Sequence, residues 1–306
     1  MSVSDLWPLA IEAWEALGAG YGPVMARTAA KEAGFPEGAY FGWILPALGL
    51  DPDPISARQL AAWSPYTALA LDESRLAASA QLGFLHDAGG GAYYLTDAGR
   101  TAATRITSAA YAYMAPLQPV PAADLSRLSQ LLCRLVDACL AAPEPPEKWH
   151  LQLSRRTDPG EAAPIVARID QYLTDLNAYR NDASLSVWQP LGVSGATWEA
   201  FTCLWRGDAR TLDELCSRLA MRGHACSDYA DALAELVARR WVAATDDSYR
   251  LTDAGRVVRE DAERAIDRCF LIPWACLETR EAEELAVLLG GLRDGLSGAA
   301  APQIVM

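Results

Sequence analysis

The string Leu95-Thr96-Asp97-Ala98-Gly99-Arg100 recurs letter for letter as Leu251-Thr252-Asp253-Ala254-Gly255-Arg256, 156 residues later in a chain of 306. A match at half the chain length predicts two copies of one supersecondary unit. The flanks agree. Phe84-Leu85 precedes Asp87-Ala88-Gly89-Gly90-Gly91, and Trp241-Val242 precedes Thr245-Asp246-Asp247-Ser248. Each reads as a strand, a tight turn and a returning strand. Two helical stretches lie upstream of each hairpin, 56–63 with 72–83, and 211–221 with 227–240. Thr96 and Thr252 are placed to cap a following helix, each with an Asp next to it where the helix dipole favours a carboxylate.

Those helices run to Pro116 and Pro273, and a terminal amphipathic helix follows each. Its apolar face is Leu125, Leu128, Leu132, Leu135 and Val136 in the first half, and Leu285, Leu288, Leu289 and Leu292 in the second. The expected organisation is a first module at 1–142, a Pro-rich linker at 143–163, a second module at 164–297 opened by a helix over 165–182, and a loose tail at 298–306. Gly18-Ala19-Gly20-Tyr21-Gly22 follows a helical stretch rather than a strand, so it reads as a helix end and turn, not a dinucleotide loop. The fold class is mainly α with small β wings.

The order helix, helix, hairpin, long helix is that of a winged helix-turn-helix, and Leu-Thr-Asp-Ala-Gly-Arg at the end of the wing resembles the MarR family of bacterial regulators. The long outgoing helix, its proline and the terminal helix resemble that family's dimerisation region. The resemblance covers about 130 residues of each half. It implies DNA binding through successive major grooves and small, often aromatic, ligands held between the DNA-binding and dimerisation parts. With both protomers in one polypeptide it implies a fused pseudo-dimer, a monomer with an internal pseudo-two-fold.

Charge argues against a strong DNA reader. The chain carries 26 basic and 39 acidic residues, a formal net charge of −13 and a pI near 4.7. Neither half is basic: residues 1–150 hold 9 basic and 15 acidic, residues 151–306 hold 17 and 24. With Leu233, Leu236 and Val237 facing the core, helical spacing turns Asp228, Asp231 and Glu235 outward, where they would meet phosphates. The side chains left to contact DNA are Ser74, Arg75 and Gln81 in the first unit, and Arg218, Arg222, Ser227, Arg239, Arg240 and Arg250 in the second.

Aromatic residues are the competing signal, with ten Trp in the chain. Aromatics at helical spacing pack cores more often than they line sites. A cavity between modules would nevertheless suit a planar organic ligand, and Trp14, Trp43, Tyr111, Tyr179, Arg180, Trp198 and Trp205 are its candidate lining, with Asn181 and Asp182 as polar anchors.

Catalytic motifs are not found, and His86, His150 and His224 lack metal-ligand spacing, so no cofactor or metal is expected. Seven cysteines without paired spacing suit a reducing cytoplasm, with Cys133, Cys139, Cys203 and Cys216 read as small buried apolar residues. No apolar run is long enough to span a bilayer, and Met1 to Trp7 has no export signal. Two functions follow. One is a ligand-responsive regulator of transcription whose partners are double-stranded DNA and a small aromatic ligand. The other is a small-molecule-binding protein, or an enzyme of specialised metabolism, on a winged-helix scaffold that has lost DNA binding.

Overall fold

A computed structural model describes residues 5–36, 40–245 and 248–299. The chain is mainly helical with two small antiparallel sheets. The first half runs α1 (Leu6–Lys31), α2 (Ile44–Leu50), α3 (Ala57–Trp63), α4 (Leu69–Gln81), β1 (Leu85–Asp87), β2 (Tyr93–Leu95), α5 (Asp97–Met114) and α6 (Ala122–Ala141). After α7 (Trp149–Arg155) the second half runs α8 (Ile165–Trp188), α9 (Gly195–Arg206), α10 (Leu212–Arg218), α11 (Cys226–Ala238), β3 (Val242–Ala244), β4 (Tyr249–Leu251), α12 (Asp253–Leu271) and α13 (Thr279–Ala299). Apart from α7, the order of elements in residues 6–141 recurs in residues 165–299.

Each repeat of Leu-Thr-Asp-Ala-Gly-Arg joins a hairpin to a helix. The hairpins pair Leu85 with Leu95 and Val242 with Leu251. Thr96 Oγ1 accepts from the Gly99 N–H at 3.0 Å and donates to the Gly83 carbonyl at 2.7 Å. Thr252 Oγ1 accepts from Gly255 at 3.0 Å and donates to the Arg240 carbonyl at 2.6 Å. One hydroxyl thus caps the helix and pins it to the strand before the wing. The first wing turns on Gly89, Gly90 and Gly91, with φ of 84°, 65° and 81°, a run that only glycine adopts without strain. The second wing's turn includes Asp246 and Asp247, which lie outside the described residues.

The apolar faces of the long helices meet in one core drawn from both halves. Leu6, Ala10, Ala13 and Leu17 of α1 share it with Leu125, Leu132 and Leu135 of α6, Leu173 and Leu176 of α8, and Leu285, Leu289 and Leu292 of α13. Packing across the halves is reciprocal: α1 lies on α13, and α6 lies on α8. Two smaller cores sit under the hairpins, one around Ile44, Leu76 and Ile106, the other around Phe201, Leu215 and Leu233.

Three expectations need correction. Gly18 to Gly22 do not end a helix; they lie inside the 26-residue α1. Burial on α5 overrides the local preference, and at Gly20 a Cβ would run into the Tyr113 side chain. The Pro-rich linker carries a helix, α7. Asp182 accepts from the His150 and Leu151 N–H groups at 2.9 and 3.0 Å and from His150 Nδ1 at 2.7 Å, and so caps its start. Buried Asp175 holds its end through Ser154 at 2.6 Å and Arg155 at 2.8 Å. Cys216 is not an inert apolar residue but is joined to Cys226 by a disulfide, which ties α10 to the first residue of α11. Of the other cysteines read as buried, Cys139 and Cys203 are buried and Cys133 is half-buried. Of the tail expected at 298–306, the first two residues continue α13 and residues 300–306 lie outside the described residues. None of the described helices is long and apolar enough to cross a membrane.

Candidate nucleic-acid interface and inter-module cavities

In the first unit α3 and α4 form the helix pair, with Ser56 capping α3 by accepting from Gln59 at 3.2 Å. Leu76 faces the core, and α4 turns Glu73, Ser74, Ala78 and Gln81 to solvent. Arg75 points elsewhere. Its guanidinium lies 4.1 Å over the Tyr40 ring and 3.9 Å from Asp72, whose carboxyl is 1% exposed. A groove of about 890 Å³ separates α4 from its wing, with Ser74, Glu73, Tyr93 and Arg58 on its walls. Arg58 is exposed at the start of α3.

In the second unit Leu233 and Leu236 are buried and Val237 is half-buried, with Ser227, Asp228 and Asp231 exposed. Asp228 caps α11 by accepting from the Ala225 N–H at 2.8 Å. Glu235 is half-buried, accepting from Thr197 and from Arg239, both at 2.9 Å. Arg239 also donates to the Leu191 and Gly192 carbonyls at 3.1 and 2.9 Å, so it clips α11 to the start of α9. Arg222 is held by both oxygens of Glu199 at 3.0 Å. Arg218 sits on the surface beside Asp208 at 3.2 Å. Arg240 and Arg250 are exposed, the first ending α11 at φ 60° and the second on β4 opposite Ala243.

The two helix pairs touch. The Ala68 N–H donates to the Arg222 carbonyl at 2.8 Å, His224 Nε2 stands 3.1 Å from the Tyr66 carbonyl oxygen, and Trp188 Nε1 donates to the Tyr66 hydroxyl at 3.0 Å. Glycine makes the approach possible, since a Cβ at Gly223 would fall 2.8 Å from that of Leu71. The N-terminal ends of α4 and α11 therefore abut.

Two cavities lie where the long helices meet the helix pairs. The larger, about 670 Å³, is walled by α1, α2, α5, α7 and α8 and includes Trp14, Tyr21, Tyr111 and Asp170. The smaller, about 290 Å³, uses the corresponding elements of the other half, α8, α9 and α12, with α1. Its walls are Trp198, Tyr66 and four arginines, Arg180, Arg206, Arg222 and Arg259, against Glu199 and Glu263. Arg259 is 3% exposed, its guanidinium 4.7 Å from both the Trp198 and Trp205 rings, and burial lowers its pKa.

Candidate lining residues thus divide. Trp14 and Tyr111 line the larger cavity; Arg180 and Trp198 line the smaller, and Trp205 backs it through Arg259. Trp43 instead packs against the first small core beside Tyr40, at 5.5 Å between rings. Tyr179 is fully buried and donates to the Glu144 carbonyl at 2.6 Å. Asn181 borders both cavities, whereas Asp182 is committed to capping α7. Asp170 was missed because a lone aspartate inside a helical pattern reads as a solvated face.

Residues 159–302 match the model of a helix-turn-helix family. No curated protein and no solved structure matches the chain. The match covers α8 to α13, and the order of α10, α11 and the β3–β4 hairpin within it agrees with the helix-turn-helix domain that it indicates for the second half of the chain.

Proposed function

We propose that the chain is a ligand-responsive, MarR-like regulator of transcription in which two winged helix-turn-helix modules form an intramolecular pseudo-dimer. The reciprocal packing of α1 on α13 and α6 on α8 carries this reading. Two protomers that exchange terminal helices about a two-fold would make the same pair of contacts. Arg58, Arg218, Arg240 and Arg250 are among the exposed cations available for phosphates, and Ser74, Gln81 and Ser227 are polar side chains that face outward for base edges. A ligand in either cavity would shift the helix pairs against the long helices, and with them the contact between Ala68 and Arg222 that joins the pairs.

Selection from a random duplex pool with the full chain at low salt tests this. The expected product is a pseudo-palindromic site. Arg250→Ala and Arg240→Ala should each weaken binding roughly tenfold and reduce the salt slope by about one. No retained duplex at 50 mM salt would refute it.

One observation favours a second reading, a small-molecule-binding protein or enzyme on a scaffold without DNA binding. Arg75, Arg222 and Arg239 are consumed by internal partners while Asp228 and Asp231 face outward. On that reading the same selection returns nothing and the cavities still bind ligand.

A further inference from the structure

Several polar wall groups of the larger cavity have protein partners. Trp14 Nε1 donates to Thr174 at 3.1 Å. Gln171 Nε2 is taken up by Ser154 and Asp175. His150 is bound by Asp182, and Asp158 by Arg155. Arg156, the one arginine on the wall, is directed to the rim, 3.5 Å from the Gly49 carbonyl and 3.6 Å from Asp53. Asp170 differs from these: its Oδ1 is buried and no donor among the described residues reaches it. A buried carboxylate oxygen without a donor costs more than a bond is worth, so such an atom in a cavity marks where a donor belongs.

We propose that this cavity binds a planar organic cation, its ammonium or iminium N–H donating to Asp170 and its ring lying against Trp14, Tyr21 and Tyr111. The ligand class deepens the ligand-responsive reading above and rests on it. The aromatic faces attract a cation through their ring quadrupoles, and 670 Å³ is of the size that encloses a drug-sized molecule. The titratable and charged groups that share the cavity with Asp170 are Tyr21 from α1, Tyr111 from α5, and His150, Arg156 and Asp158 from α7 and the loop after it. The Tyr21 hydroxyl nearby favours the charged carboxylate of Asp170, but burial outweighs it and pushes that carboxyl up to about 7. Cation binding therefore strengthens as pH rises through that value, with release of a proton.

The test uses the full chain, freed of nucleic acid, with two planar probes, ethidium as cation and anilinonaphthalene sulfonate as anion. Binding is read by dye fluorescence at pH 8.0 and 5.5. Ethidium is expected to bind at pH 8.0, at least tenfold more weakly at pH 5.5 and in Asp170→Asn, and not at all in Thr107→Trp, which fills the cavity. The Asp170→Asn comparison at pH 8.0 decides. Ethidium affinity within twofold of wild type in Asp170→Asn, or unchanged by Thr107→Trp, overturns the proposal. Sulfonate binding abolished by Thr107→Trp, with no ethidium binding, overturns the cation alone and leaves a ligand cavity standing. Neither dye responding to Thr107→Trp overturns both.

Discussion

Asp170 also predicts a stability profile of its own. Its carboxyl titrates at about 7 in the fold against an ordinary value of 3.8, because burial disfavours the charged form. The folded state keeps a proton that the unfolded chain has already released, so this group's contribution to stability falls as pH rises from about 4 to 7. The whole effect is on the order of 4 kcal/mol. Asp170→Asn is neutral throughout and keeps the shape. It should melt higher than wild type at pH 8 and flatten the dependence between pH 5 and 8, as thermal unfolding at the two pH values would show. An Asp170→Asn protein that melts no higher than wild type at pH 8 would contradict the assignment. Asp72 is a similar case without a cavity. Neither of its oxygens accepts a hydrogen bond, and burial raises its pKa against the pull of Arg75.

At the scale of elements, the repeated string works as a joint. Gly99 and Gly255 begin their helices hard against the hairpins, where a Cβ would overlap the carbonyl oxygens of Phe84 and Trp241. Gly99→Ala or Gly255→Ala should cost about 3 kcal/mol, since the helix must lift off the strand. Gly18→Ala, inside α1 with nothing within 4 Å of the new methyl, should stabilise by about 0.5–1 kcal/mol. Denaturant unfolding of the three variants checks both signs, and a loss below 1 kcal/mol at Gly255 would remove the steric account. The joint was legible in the sequence because every residue in it acts on neighbours within about a dozen positions: Thr caps, Gly permits, Leu95 buries. Helix α7 was not, because its caps, Asp175 and Asp182, lie 20 to 32 residues away. The glycines of α1 misled for the same reason, their helical state being set by packing against α5 and α13.

For the whole molecule, the two halves have no separate main core to fall back on. Leu289 of α13 is fully buried in the cluster that includes Leu17 of α1, Leu132 of α6 and Leu176 of α8. Ion pairs close the same seam from outside: Arg127 with Glu284 at 2.7 Å, and Arg293 with Glu12 at 2.6 Å. Composition counts such arginines as cations available to DNA, which is why charge by half could place the doubt but not the interface. Only the fold distinguishes Arg250, which is exposed, from Arg222, which is spent on Glu199. A shared core makes a cooperative unit, so damage at one end must be felt at the other. Leu289→Ala should cost about 3 kcal/mol. Its loss should speed amide exchange in the protected residues of α1 and α6 as much as in α12, within one calorimetric transition. If exchange rose only within residues 165–299, or if two transitions separated, the halves would be independent domains. In that case a ligand bound beside Asp170, in a cavity walled by α1, α2 and α5 as well as α7 and α8, would have no single rigid body through which to move both helix pairs together.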